Sequence, residues 1–260
     1  IIFLILKKKT IVLSGGAGFL GREIVKGFLK FDAKVIILDN FKSNKSKTFK
    51  FLNNKKIKII NINLEKTDEI KKLYKYFKRN KIFIDCLINN AAYVEKSSQK
   101  QYIGNLNNQS EEIFKKVLDV NLLAPFLLSK YLSKMMKKSS KPTIINISSI
   151  YGNLAPDFSL YKNTNMGNSA AYSSSKSGLA GLTRWLSSYL APKVRVNSIS
   201  PGGIYRSQNA KFVKRYKSKV LLKRMADTED IVGPILFLAS DISNYITGIN
   251  LIVDGGYSSI

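Results

Sequence analysis

A run of aliphatic and β-branched residues at 10–13 leads straight into Ser14-Gly15-Gly16-Ala17-Gly18-Phe19-Leu20-Gly21. A helical stripe of Ile24, Val25, Phe28 and Leu29 follows within 21–31. This order of strand, glycine-rich turn and helix constrains the fold more than any other feature of the chain. Gly15 makes the tight turn, Gly18 lets backbone approach a pyrophosphate, and Gly21 lets helix and strand pack closely. The helix N-terminus adds free N–H groups that favour an anion. A second strand, 34–38, ends at Asp39, whose carboxylate can accept hydrogen bonds from a ribose diol and repels a 2′-phosphate. The turn residues Ser14, Gly15, Gly18, Phe19, Leu20 and Gly21, with Asp39, are therefore expected to bind a dinucleotide. NAD(H) is favoured over NADP(H), because a positioned carboxylate outweighs the flexible, hydrated ammonium of nearby Lys42.

The same alternation continues to the end of the chain. Strand-like runs fall at 56–62, 82–88, 143–147, 194–199 and 250–253. Helical patterns fall at 68–78, at 111–136 around Pro125, at 170–190 and at 230–239. Strands alternating with helices imply parallel βαβ units. The expected fold is α/β: a Rossmann-like, doubly wound, seven-stranded parallel sheet with helices on both faces. It uses residues 1–260 as one domain, with no linker or repeat. The apolar start at 1–6 lacks Met and is far shorter than the roughly 20 residues that span a bilayer. No small-residue cleavage site follows it. Residues 1–8 read as an incomplete or poorly ordered start, and the protein as cytoplasmic with no membrane partner.

Composition removes several chemistries. There is no His, and Cys86 is the only cysteine, so His-based triads, His- or Cys-cluster metal sites and internal disulfides are excluded. No metal site is expected. Lys and Arg number 43 against 17 Asp and Glu, a net charge of +26. The lysines are scattered rather than clustered, which reads as compositional bias, and a nucleic-acid partner is not expected. The field still favours anionic ligands.

Tyr172 and Lys176 stand one helical turn apart at the start of the 170–190 helix, on one face. An ammonium beside a phenol stabilises phenolate, which makes Tyr172 a neutral-pH acid or base in a chain without His. Ser148 and Ser149 follow the fifth strand, where a hydroxyl can bond a substrate carbonyl. Asn121 lies four residues before Pro125, whose ring perturbs the Asn121 carbonyl and whose missing N–H leaves it without a helical partner. Asn89-Asn90-Ala91-Ala92 follows the fourth strand, and Ser200-Pro201-Gly202-Gly203 the sixth. Ligands of such sheets bind outside the carboxyl ends of the strands, where all these motifs fall.

Taken in order, the glycine turn, Asn-Asn-Ala-Ala, Asn121, Ser149, Tyr172-x-x-x-Lys176, Pro201-Gly202 and a closing Val253-Asp254-Gly255-Gly256 resemble the short-chain dehydrogenase/reductase family in its single-domain branch. The resemblance covers nearly the whole chain. It implies an NAD(P)-dependent oxidoreductase that moves hydride between nicotinamide and a small-molecule carbonyl or secondary alcohol. It implies that Tyr172 is the acid/base, and that Lys176 lowers its pKa and binds the nicotinamide ribose. Ser149 would orient the carbonyl, and Asn121 would hold a water linking Lys176 to solvent. Asn90, Ala91 and Ala92 would line the adenosine side, Asn63 and Leu64 would contact adenine, and Pro201, Gly202 and Ile204 would border the nicotinamide.

The chain departs from the family pattern in places. Its glycines are spaced as in the extended branch, which keeps a nucleotide-sugar epimerase or dehydratase as one alternative. Charge keeps a non-catalytic dinucleotide sensor or nucleic-acid binder as another. Asn63 replaces the usual Asp, and Arg206 stands where Thr often contacts the cofactor. The gap from Ser149 to Tyr172 is about ten residues longer than usual in the family. The extra segment, 157–168, reads as either a surface loop or a pocket wall for a hydroxylated, sugar-like substrate. The basic segment 211–224 is expected to cover the pocket. Small residues along the 170–190 helix suit close helix–helix approach, and the resemblance, in which that helix packs between subunits, implies a homodimer or homotetramer, while Trp185 and Tyr189 read as packing residues.

Overall fold

The computed structural model describes residue 6 and residues 8–40, 54–94 and 99–259. Lys42 and most of the first eight residues lie outside these. Seven parallel strands form one sheet in the order β3-β2-β1-β4-β5-β6-β7. They are β1 (Thr10–Ser14), β2 (Lys34–Asp39), β3 (Ile57–Asn61), β4 (Cys86–Asn89), β5 (Thr143–Ile147), β6 (Arg195–Pro201) and β7 (Asn250–Val253). The strand order reverses between β1 and β4, which opens a crevice at their carboxyl ends.

Side chains alternate across each strand, and the sequence uses that period of two to build two cores. Val12, Leu87 and Ile144 point to one face. There they meet α2 (Thr67–Arg79) through Ile70, Leu73 and Phe77, and α5 (Ala124–Leu132) through Leu128 and Leu132. The next residues along, Leu13, Ile88 and Ile145, point to the other face. There they meet α1 (Phe19–Lys30) through Ile24, Val25 and Phe28, and α8 (Thr228–Ala239) through Ile231, Ile235 and Leu238. Every one of these side chains is buried, so both faces of the sheet's centre are covered, while the edge strands β3 and β7 leave Ile59 and Ile252 exposed.

The continuous helix expected over 111–136 is broken. α4 (Glu111–Leu118) passes through a π-helical stretch, Asp119–Leu123, into α5, and a 3-10 turn closes at Ser133–Met135. Pro125 has no N–H to close on the Asn121 carbonyl, and the Ala124 N–H bonds instead to the Asp119 carbonyl, five residues back. The strand expected over 82–88 is shorter, beginning at Cys86. Before it, Asp85 exchanges a backbone bond with the Thr10 carbonyl (2.9 Å) while its own carboxylate takes the Thr10 N–H (2.8 Å). The fifth and seventh strands have the expected bounds, as does the long helix α6 (Ala170–Leu190). A short helix, α3 (Gln99–Ile103), has no counterpart in the sequence reading. Among the described residues no helix is long and apolar enough to cross a membrane.

Candidate active site

The carboxyl ends of β1, β4 and β5 are stitched together by polar side chains in register. Ser14 pairs with Asn89, and Asn89 with Asn146. Asn89 donates to the Asn146 side-chain oxygen (2.7 Å), and Asn146 to Thr183 on α6 (2.9 Å). This buried row fixes the edge on which the site is built.

Gly15 has φ +68, and a Cβ there would lie 2.8 Å from the Ala91 Cα. Only glycine satisfies both demands. A Cβ on Gly21 would run into the Gly15 carbonyl and lie 2.8 Å from the Gly16 Cα, so the first turn of α1 folds back onto the loop itself. Gly18 is the exposed N-cap of α1. Asn90 clamps the turn rather than merely lining it. Its amide donates to the carbonyls of Ser14 (3.1 Å) and Gly15 (3.0 Å), while the Ser14 hydroxyl accepts the N–H groups of Asn90 and Ala91. Asp39 ends β2 and accepts the Ala17 N–H at 2.8 Å and the Asn40 N–H at 2.8 Å. The carboxylate is thus held against the glycine turn. Phe19 is exposed, Leu20 leans on the core, and Ala92 is exposed beside Ala91. Asn63 uses its side-chain oxygen on the Glu65 N–H (3.0 Å), and Leu64 is buried in the core.

Lys176 is buried, and its ammonium donates to the carbonyl of Ile147, the last residue of β5, at 2.7 Å. Burial pulls its pKa down to about 8. Its nitrogen lies 5.7 Å from the centre of the Tyr172 ring. Tyr172 is partly buried, and burial raises its pKa above the ordinary phenol value. A hydrogen bond from Ser149 and the positive charge of Arg206 oppose that rise. The lowering expected from Lys176 is therefore not observed. The ammonium is directed to the strand end, and desolvation dominates the phenol. Ser149 is buried and also accepts the Tyr151 N–H (3.2 Å), whereas Ser148 is turned to the Lys176 carbonyl (3.0 Å).

Asn121 is buried in the π-helical stretch. Its oxygen accepts the Tyr93 N–H (2.8 Å), and its amide donates to Ser175 (3.1 Å), which in turn bonds the Tyr172 carbonyl (2.7 Å). Asn121 thus anchors the turn of α6 that carries Tyr172. Pro201 ends β6, and Gly202 is tied to the Val253 carbonyl (2.9 Å). Ile204 pairs with Ala226, and Gly203 donates to the Tyr216 hydroxyl (2.6 Å). Tyr216 was not anticipated from sequence, although the aromatic spacing of Phe212 and Tyr216 on one helical face was there to be read.

The segment expected to cover the pocket contains α7 (Ala210–Ser218), which packs on the 157–168 insertion. Lys219 pairs with Asp157, Arg215 donates to the Leu160 carbonyl (3.3 Å), and Tyr161 stacks on Phe212 at 5.5 Å. The Tyr161 hydroxyl meets that of Tyr151 at 2.8 Å. Leu160, Phe212, Tyr216, Val220 and Met225 form a small core of their own beneath. Trp185 and Tyr189 are not interior packing residues. They stack on each other at 5.0 Å and stay exposed on α6. No metal-binding cluster of acidic or cysteine side chains occurs among the described residues.

A turn that tolerates no Cβ at Gly15 or Gly21, a helix N-terminus behind it and a carboxylate at the end of the next strand form a cradle that fits a dinucleotide. A phenol, a hydroxyl and a buried ammonium stand together across the crevice. Fold and site define a dinucleotide-dependent oxidoreductase. A family model described as enoyl-(acyl carrier protein) reductase matches residues 16–258. Post-translational flagellin modification protein A of Campylobacter coli is 32% identical, over 97% of this chain and 99% of its own. A short-chain dehydrogenase from Leptospira borgpetersenii, solved with bound NAD+, is 32% identical with a TM-score of 0.88, over 99% of this chain and 96% of its own. A 4-hydroxyisoleucine dehydrogenase complexed with NADH is 32% identical with a TM-score of 0.83, over 97% of this chain and 100% of its own. The chain belongs to the short-chain dehydrogenase/reductase family, in its single-domain branch. It is an NAD(P)-dependent oxidoreductase acting on a carbonyl or CH–OH group of a small molecule.

Proposed function

We propose that this oxidoreductase uses NAD(H) in preference to NADP(H) on a hydroxylated, sugar-like secondary alcohol or ketone, with Tyr172 moving the proton. The observation that carries the reading is the convergence of Tyr172, Ser149 and Lys176 beside the clamped glycine turn. The bound nicotinamide supplies or accepts the hydride. Ser149 donates to the substrate oxygen and orients the carbonyl. Tyr172 gives its phenolic proton to that oxygen in reduction and receives it in oxidation. Lys176, turning from the Ile147 carbonyl, holds the ribose and offsets charge on the phenolate. Asn121 positions the Tyr172 turn. Asp39 supports the NAD(H) preference, since its carboxylate ends β2 against the glycine turn, and the NAD+ and NADH of the two solved relatives agree with it. Ser14, Gly15, Gly18, Phe19, Gly21, Asn90, Ala91, Ala92, Pro201, Gly202 and Ile204 form the cofactor wall. Leu20 and Leu64 support that wall from the core side.

The chain works as one unit over 1–260, in the cytoplasm, where nicotinamide cofactors are recycled. Self-association uses the outer face of α6, where Trp185 and Tyr189 are exposed beside an apolar hollow lined by Leu122, Phe126 and Leu182. The functional reading is tested by screening secondary alcohols, polyols and aldoses with NAD+, following nicotinamide absorbance, in parallel with Tyr172→Phe. Turnover abolished by the substitution supports it. Turnover that survives Tyr172→Phe overturns the assigned role.

A further inference from the structure

The chemistry above leaves the 157–168 insertion without a direct part. With the 103–109 segment it walls a cavity of about 540 Å³ at the N-terminal end of α6. The two walls are fastened together. Gln109 braces its own wall by donating to the Gly104 carbonyl (3.2 Å) and ties that wall to α6 by accepting the Ala170 N–H (3.0 Å). A Cβ on Gly167 would lie 2.7 Å from the Ile103 carbonyl oxygen, so the walls meet backbone to backbone there. The space is held open by the fold.

Its lining is unusual for this chain. Charged residues make up 23% of the sequence, yet among the described residues no Lys, Arg, Asp or Glu lines the cavity. Phe158 and Leu106 stand at it with 65% and 77% of their surface exposed. Phe158 leans on Tyr161 (6.4 Å), which is itself backed by Phe212, so the aromatic wall is braced. Asn105, Asn168 and Ser173 contribute amide and hydroxyl groups, with the Asn168 oxygen accepting from Ser173 at 2.8 Å. Apolar surfaces facing neutral hydrogen-bonding groups suit a ring with C–H faces and hydroxyl edges, and offer no cation to a carboxylate or phosphate. The cavity is connected to the reacting centre through its lining, although Tyr172, Ser149 and Lys176 do not themselves line it. Ser169 and Ser173 flank Tyr172 on α6, and Tyr161 joins the cavity wall to Tyr151, two residues beyond Ser149.

We propose that this cavity is a subsite for an uncharged, hydroxylated ring at the far end of the substrate, remote from the carbonyl that meets Tyr172. The proposal rests on the functional reading above and names what that reading leaves open. It makes the insertion a specificity element.

The test is saturation-transfer NMR on the full chain with three probes: methyl β-D-glucopyranoside, D-glucuronate and butan-2-ol. Each is run on the wild type, Phe158→Ala and Ala170→Trp. Both substituted positions are exposed, so the variants are expected to fold, and circular dichroism checks this. The expected result is transfer to the glucoside ring protons of the wild type, with binding about tenfold weaker in both variants. Glucuronate and butan-2-ol should show no dependence on Phe158. Glucoside binding that both variants retain, or glucuronate binding that depends equally on Phe158, overturns the subsite. NADH fluorescence on the same samples separates the two claims. NADH binding without glucoside binding removes the subsite and leaves the oxidoreductase reading. NADPH is titrated beside NADH, and binding of neither cofactor removes that reading, whatever the glucoside does.

Discussion

The Lys176 ammonium donates to the Ile147 carbonyl at 2.7 Å, at the end of the strand that leads into Ser149. A cation is thereby held in a buried position, with a backbone dipole as its partner. The arrangement costs stability and shows in the lowered pKa.

That cost depends on pH. Lys176 loses its proton near about 8 in the folded protein, against an ordinary 10.5. Below about 8 both folded and unfolded chains carry the charge, and the burial cost is fully present. Between those values the unfolded chain binds the proton that the folded chain has released, so stability rises with pH. Above about pH 10 the buried tyrosines, whose pKa values are raised, reverse the trend. Lys176→Met is expected to be more stable than the wild type at neutral pH, by up to about 2–3 kcal/mol. It should also lose the rise between pH 8 and 10. Urea unfolding across that range checks both.

Tyr172→Phe removes the proton donor and the Ser149 bond while leaving the helix intact. Turnover is expected to fall by about a hundred- to ten-thousandfold. NADH affinity should change little, since the glycine turn and Asp39 are untouched. Single-turnover kinetics beside a cofactor titration separate the two effects.

Arg206 is exposed, and its charge favours the Tyr172 phenolate. Arg206→Ala removes that help and raises the phenol pKa. The rising limb of the alcohol-oxidation profile, where Tyr172 must lose its proton to act as base, should move to higher pH, with kcat at its plateau little changed. An unmoved profile would show that the charge does not reach the phenol during turnover.

Asp39→Ala should narrow the NAD(H) preference. It also removes the charged acceptor of the Ala17 N–H, and a loss of about 1–2 kcal/mol in stability is expected. Thermal melts with NADH and NADPH measure both effects. Melts that leave the cofactor ratio unchanged would exclude Asp39 from reading the ribose.

The architecture was legible because period-two strands and helical stripes alternate without interruption, and because Gly15 and Gly21 occupy positions no other residue fits. Tyr172, Lys176, Ser149 and Asn121 were legible as types at a spacing. Their environment was not. The spacing of Tyr172 and Lys176 predicts an acidified phenol, but burial depends on what α6 packs against, and only the fold reveals that desolvation dominates. The π-helical turn at Asn121 needed the competition between Pro125 and the Asp119 carbonyl to be resolved in three dimensions. The insertion gave no periodic signal at all. Its partners, Phe212, Arg215 and Lys219, lie about fifty or more residues away in sequence.

The most direct test of the account is titration of the purified protein with NADH and NADPH at moderate salt, following nicotinamide fluorescence. The account predicts saturable binding of both, tighter for NADH, with the difference reduced in Asp39→Ala. Binding of neither cofactor would contradict it.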